Sequence, residues 1–297
     1  MSKIKDAKIE EQRLANRDLE ASEPKDYVFS EEKHIHTFKG KPLCGTSTVM
    51  GVVAKPLTWW ASGLAVAKLG WTNSKIKVNG KYTTIDLKTR LEALQPQYEA
   101  IKAMSSEQFL ALLDEAYKAH SVKLADTAEV GTDMHAVLEG YVKNCIKENK
   151  GVPMYAHEEH DKLDIFVLWA VKNVKKFLYS EVYCYSEKLW VGGISDCCLE
   201  LNDGKVGIMD FKSSKDAYPT QFFQCAGYAL QVAENGGFDK NGNKVFTLEK
   251  PIGFYAVVPF GAEKVEPVFD FDVKGCENGF LSALTLYKQL QRYENNN

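Results

Sequence analysis

Two aspartates and a lysine, Asp196, Asp210 and Lys212, fall on segments 189–201 and 205–212, which read as two strands turning back on each other at Asn202-Asp203-Gly204. Carboxylate oxygens are hard ligands suited to Mg²⁺ or Mn²⁺. A cation held by them can polarise a phosphodiester oxygen and lower the pKa of a bound water. A lysine beside it can orient or deprotonate that water, or offset charge on a phosphorane-like transition state. Metal-dependent cleavage of a phosphodiester is the chemistry these residue types suit.

Register decides whether the three meet, because side chains alternate along a strand. With a two-residue Asp203-Gly204 turn, Asp196 pairs with Phe211 and the aspartates lie on opposite faces. With a three-residue loop and Gly204 left-handed, Leu201 faces Lys205 and Asp196 faces Asp210. Lys212, two residues on, then shares their face. The three-residue loop is the expectation. Two carboxylates that close repel by about 4 kcal/mol at roughly 4 Å and an effective dielectric of about 20. A bound cation explains that repulsion better than a surface hairpin with an Asp–Lys ion pair. The triplet D-x-K alone selects nothing, since it occurs five times, at 6–8, 86–88, 203–205, 210–212 and 272–274. Only 210–212 closes an apolar strand (Val206, Ile208, Met209) whose neighbour carries another acid.

Other candidates surround the hairpin. Gly192-Gly193 reads as a place where a strand kinks and a nucleic-acid backbone comes close. Gln221, Gln224 and Tyr228 lie on a helix from about 218 to 234; Gln224 and Tyr228 are four apart and share a face. Upstream, Gly131 precedes a helix on which His135 and Glu139 are one turn apart, and His135 can offer a nitrogen to a cation. Glu181 reads as the start of a strand. His34 and His36 fall on one face of a short strand, 34–40, and are expected to be exposed polar residues rather than a metal pair. His157-Glu158-Glu159-His160 is no zinc-protease motif, because its histidines are three apart and the motif needs four.

The elements that must position these residues follow from periodicity. Residues 1–26 are rich in charge and poor in large apolar side chains, and read as a flexible or helical arm. Residues 46–70 form the first apolar block, with Thr46, Ser47 or Thr48 as a helix cap and Pro56 in the first turn of a second helix. Trp59 and Trp60 in that block are expected to be core rather than a stacking surface for bases. Asn79-Gly80 marks a turn. Helices dominate from 106 to 179, and 159–179 carries Leu163, Phe166, Val167, Ala170, Val174 and Phe177 at helical spacing, with Lys172, Lys175 and Lys176 as a solvated face. Strands follow at 181–187, 189–201 and 205–212, then 252–259 and 265–271, and a closing helix at 275–294. The pattern is α/β: a mixed central sheet flanked by helices, with a helical lobe (about 89–179) before a core at about 181–297. Residues 27–297 are read as one domain.

The chain has 297 residues, 45% hydrophobic and 26% charged, with a net charge of −3. That composition supports a sizeable core and excludes a wholly basic surface, but not local lysines that grip phosphate. Seven cysteines without a C-x-x-C pair point to a reduced compartment, and adjacent Cys197 and Cys198 should face opposite ways. No signal peptide or membrane-spanning run is evident.

Taken together, G-T-x-x-H-x-x-x-E (131–139), E-x-x-x-Y-S…G-G-I-S-D (181–196), D-F-K-S-S-K (210–215) and Q-x-x-x-Y-A (224–229) resemble the PD-(D/E)xK nuclease superfamily, most closely its RecB-like and phage exonuclease branch. The match covers about a hundred residues, and the 47–61 block is similar, more weakly, to phage-encoded members. The resemblance implies a restriction-endonuclease-like fold and Mg²⁺-dependent hydrolysis of DNA, with Mn²⁺ as a substitute. It implies His135, Asp196, Asp210 and the Phe211 carbonyl as metal ligands, Lys212 as the catalytic lysine, and Gln224 and Tyr228 as residues that steady the site and the scissile phosphate. It implies an exonuclease of phage or mobile-element recombination in a bacterial cytoplasm. A single-strand annealing protein or further copies of the chain are the partners it brings with it. Some relatives carry an iron–sulfur cluster with three cysteines clustered after the core; here only Cys276 follows Cys225, and no cluster is expected. A structure- or sequence-specific endonuclease, or an inactive DNA-binding subunit, are the competing expectations.

Overall fold

A computed structural model describes residues 26–53, 58–78, 81–155 and 161–294. The arm expected over 1–26 (all but Asp26), Pro56, the Asn79-Gly80 turn and His157–His160 lie outside these residues. In chain order the elements are β1 (Tyr27–Ser30), β2 (Ile35–Phe38), β3 (Lys41–Pro42), β4 (Cys44–Gly45), α1 (Thr46–Met50), α2 (Thr58–Lys68), β5 (Lys75–Val78), β6 (Lys81–Thr84), α3 (Leu87–Lys102), α4 (Ser106–Asn149) and α5 (Asp161–Asn173). They continue as β7 (Val174–Ser186), β8 (Val191–Leu201), β9 (Val206–Lys212), α6 (Pro219–Asn235), β10 (Gly237–Phe238), β11 (Lys244–Phe246), β12 (Ile252–Pro259), β13 (Val268–Asp270) and α7 (Val273–Glu294). No single helix among the described residues is long and apolar enough to cross a bilayer.

The chain forms two compact units, Met1–Val53 with His135–Asn297, and Ala54–Met134. The first contains a mixed sheet in the order β11-β10-β7-β8-β9-β12-β13, with β4 alongside β8. The β7–β8 and β8–β9 pairs are antiparallel, and β9–β12 is parallel. One face of the sheet carries Tyr179, Val182, Cys198, Ile208 and Tyr255 against Val49 and Met50 of α1, Cys225 and Tyr228 of α6, and Phe280 of α7. On the other face, Phe166 of α5 stacks edge-on to Phe211 and to Tyr141 of α4, and Tyr141 packs on Phe177. Covering both faces makes β8 and β9 nearly continuous apolar runs. Each fully buried aromatic or aliphatic side chain adds roughly 1.5–3 kcal/mol.

Several boundaries differ from the sequence reading. The helix expected to reach 179 ends at Asn173, and β7 starts at Val174. Val174 and Phe177 are buried as strand residues, and two register shifts between Val174 and Tyr179 let a strand mimic helical spacing. α5 and the part of α4 from His135 onward belong with the sheet, so the compact second unit starts and ends earlier than a lobe at 89–179. No side chain of 46–48 caps α1, whose N-cap is Gly45. Gly131 lies inside α4 rather than before it. Lys175 is on β7, where it bonds Glu200 at 2.9 Å.

The loop between β8 and β9 is the three-residue one. The Leu201 N–H donates to the Lys205 carbonyl at 2.9 Å, and Gly204 has φ +85°. A side chain at that φ is strained, which is why glycine sits there. Cys197 pairs with Met209 and Cys198 with Ile208. Cys198 faces the α6 side, and all seven cysteines are free thiols.

Candidate active site

The β8–β9 ladder ends at Cys197–Met209, and the same register one step further sets Asp196 opposite Asp210. The backbones no longer pair there. The Asp196 carboxylate takes over, with Oδ2 accepting the Phe211 N–H at 2.8 Å and standing 3.0 Å from His135 Nε2. Asp210 is 2% exposed, in a strand of which every residue before Lys212 is buried. Its Oδ2 accepts no well-aligned hydrogen bond, although Lys212 Nζ approaches it to 2.5 Å. Burying a carboxylate in this way is costly unless a positive charge satisfies it.

The two carboxylates are driven apart electrostatically. Burial pushes Asp210 up to about 7; the Asp196 charge adds to this and Lys212 opposes it. Burial also works upward on Asp196, but hydrogen bonding and charge from His135, then Lys212 and the Phe211 N–H, outweigh it and hold Asp196 below the usual carboxylate range. The hydrogen bond to Asp196 raises His135 against its burial. Lys212 is raised as well, since Asp210 and Asp196 outweigh its desolvation. One carboxylate is held anionic, while burial makes its neighbour easier to protonate.

A second group of residues adjoins this one. Glu139 Oε2 lies 3.7 Å from His135 Nδ1, and Lys143 joins Glu139 to Glu181, the latter at 2.9 Å. Glu181 is in the middle of β7, not at a strand start. It sits between the pairs Ser180–Cys197 and Val182–Ser195, hence across from Asp196, with φ +48°. That left-handed backbone costs roughly 1–2 kcal/mol in a residue other than glycine, and such strain gathers at functional sites. His135, Glu139 and Lys143 recur every fourth residue on one helix face, a legible signal of which the sequence reading used only the first two members. Glu181 was placed only by strand pairing.

On α6, Gln224 Nε2 donates to the Tyr228 hydroxyl at 2.6 Å. Burial first, then the charges of Asp210 and Asp196, push the Tyr228 phenol well above its ordinary range, which places its ring in their field. No hydrogen bond joins Gln224 to Asp210 or Lys212. Gln221 is a capping residue: its Oε1 accepts the Tyr218 N–H and its Nε2 donates to Ser214. The glycine pair on β8 leaves no room for a nucleic-acid backbone, since both residues are buried under side chains. A Cβ on Gly193 would lie 2.6 Å from the Tyr228 ring and 2.8 Å from Thr46 Oγ1, and one on Gly192 would lie 2.7 Å from His36 Cβ. Gly193→Ala is expected to destabilise the protein by about 1–3 kcal/mol through overpacking and to displace Tyr228. Thermal melting checks this, and an unchanged midpoint would refute the packing role.

The two histidines expected as exposed residues of one strand differ from that expectation. His34 is in a turn with φ +51°, whereas His36 is buried and its Nδ1 lies 2.7 Å from the Tyr27 hydroxyl. Burial and then His34 push His36 down to about 4. Three other D-x-K triplets have structural partners: Asp86 accepts the Thr89 N–H, Asp203 pairs with Lys205, and Asp272 accepts the Gly275 N–H.

Among the described residues, no three His, Cys, Asp or Glu side chains are arranged as a ready coordination shell. His135 and Asp196 are bonded to each other instead. The donor set nonetheless fits a hard divalent cation. It combines two carboxylates, one of them buried, with an imidazole. The Phe211 N–H faces Asp196, and in an extended strand a residue's carbonyl lies on the same edge as its N–H. No protein-family model matches the chain, and no curated protein matches it significantly in sequence.

Proposed function

We propose that the chain is a Mg²⁺-dependent deoxyribonuclease on a restriction-endonuclease-like core of the RecB-like PD-(D/E)xK type, acting on DNA ends. The observation that carries this reading is the convergence of Asp196, Asp210 and Lys212 at the end of the β8–β9 pair, with the buried Asp210 carboxylate held against the Lys212 ammonium. Asp196, Asp210, His135 and the Phe211 carbonyl would hold the cation, which supplies Lewis-acid activation of water and phosphate. Asp196 stays anionic through His135 and the Phe211 N–H, so it offers its charge without first losing a proton. Lys212 keeps its proton and offsets negative charge that grows on the phosphate in the transition state. Tyr228 and Gln224 steady the helix side of the site as a bonded pair, and Glu139 orients His135 through its other ring nitrogen.

The test is digestion of end-labelled linear DNA and of circular DNA with Mg²⁺, Mn²⁺ or EDTA. Loss of label from linear DNA only, with no reaction in EDTA, is the expected result. Cleavage of the circle would replace the exonuclease by an endonuclease. Intact substrate in every condition, with folded protein, would leave a DNA-binding subunit at most.

A further inference from the structure

The apolar block around Trp59 and Trp60 is expected to be core, yet Trp59 is 90% exposed and Trp60 39% exposed. Both lie on α2, in the unit Ala54–Met134. Trp59 shares its helix face with Ser62 and Val66, both exposed as well. In the same unit, β5 and β6 form a two-stranded ribbon, where Lys75 pairs with Thr84 and Lys77 with Tyr82. That register puts Lys75 and Tyr82 on one face of the ribbon. Tyr82 is 75% exposed.

Charge separates this stretch from the rest of the chain. Residues 58–90 hold six lysines and arginines against one acid, Asp86, in a protein whose net charge is −3. Lys68, Lys75 and Lys81 are exposed. Asp86 caps α3, accepting the Thr89 N–H. Exposed rings interleaved with cations complement a polyanion that has flat hydrophobic faces. A duplex hides those faces inside its stack, whereas an unpaired strand presents them.

We propose that Thr58–Lys68, with the ribbon of Lys75–Val78 and Lys81–Thr84, is a grip for single-stranded DNA. Trp59 and Tyr82 stack on unpaired bases, and Lys75, on the Tyr82 face of the ribbon, contacts a phosphate beside them. The grip rests on the nuclease reading for its substrate class. Its role is to hold an unpaired strand by means independent of the cleavage site.

The experiment measures binding of the full chain in EDTA, where cleavage is not read, to a fluorescent oligo(dT) and to a labelled duplex of equal length. Trp59→Ala and Tyr82→Ala are each expected to weaken oligo(dT) binding about tenfold, the size of one missing stack, and Trp59→Phe to restore most of it. Duplex binding should change far less. Lys75→Ala should flatten the salt dependence of oligo(dT) binding, by about 0.7 in logarithmic slope for the one phosphate no longer neutralised. Circular dichroism should show unchanged folding, as expected for exposed side chains. Unchanged oligo(dT) affinity in both ring variants overturns the grip, and so does an equal weakening on duplex. If the wild type cleaves DNA while the ring variants bind normally, the grip falls and the nuclease stands. If it cleaves nothing while the ring variants no longer hold oligo(dT), the nuclease falls and the grip stands.

Discussion

Replacing Lys212 by Met should lower DNA cleavage by about 10²–10³-fold or more, in a protein that stays folded. Lys212 is the one cation seated directly on Asp210, at 2.5 Å, and it reaches the reacting face because Asp210 and Lys212 share strand parity. Removing a preorganised charge from a site shielded from water typically costs that much in rate. Folding survives for a specific reason. Deleting one partner of a buried pair costs about 3–5 kcal/mol when the other charge is stranded. Asp210 escapes that cost by binding a proton, since burial already raises it to about 7. Asp210→Asn should be equally inactive, and the double variant should melt no lower than Lys212→Met alone, because it leaves no unpaired carboxylate. Rates on linear DNA in Mg²⁺, with melting curves for each variant, decide the matter. Full activity in either single variant would remove these residues from the site.

The metal-free protein should lose stability as pH rises from about 5 to about 8, and Mg²⁺ should reverse that loss. Asp210 is raised by burial and by Asp196, to about 7, so the folded chain retains a proton that the unfolded chain has released. Stability linked to such a group is complete below the unfolded carboxylate pKa, about 4, and is lost as pH climbs through 7. His135, raised chiefly by its bond to Asp196, acts in the same direction above the ordinary histidine value. Asp196 is held low and acts the opposite way, but only in acid below this window. The combined loss is on the order of a few kcal/mol. A divalent cation replaces the missing positive charge, and at a hundred times its Kd it restores about 2.7 kcal/mol. Melting curves across this pH range, in EDTA and in Mg²⁺, provide the check. A flat curve in EDTA would contradict the burial of a carboxylate at Asp210, and coincident curves at pH 8 would place the cation elsewhere. Asp210→Asn should flatten the EDTA curve and lose the response to Mg²⁺.

Much of the sheet was legible because strands buried on both faces announce themselves as apolar runs, as in β9 and β12. The hairpin was legible for a stricter reason: of the two loop lengths open to Asn202-Asp203-Gly204, only one brings the acids together, and Gly204 is free to take the positive φ that loop needs. The helix expected through 179 was misread because Val174 and Phe177 lie on a bulged strand, and irregular pairing breaks the two-residue period that identifies strands. Gly192 and Gly193 were misread as openings because a sequence does not show which side chain fills the space a glycine leaves.

The amino-acid sequence by itself determined the strand carrying Asp210 and Lys212, the neighbour carrying Asp196, and the helices bearing His135, Gln224 and Tyr228, since local periodicity and turn chemistry act over a few residues. Tertiary structure alone decided that Glu139 and Lys143 join Glu181, that Asp210 is buried against Lys212, and that Trp59 faces solvent. Those outcomes depend on which faces find a partner across the fold, and an apolar pattern says only that a face seeks one.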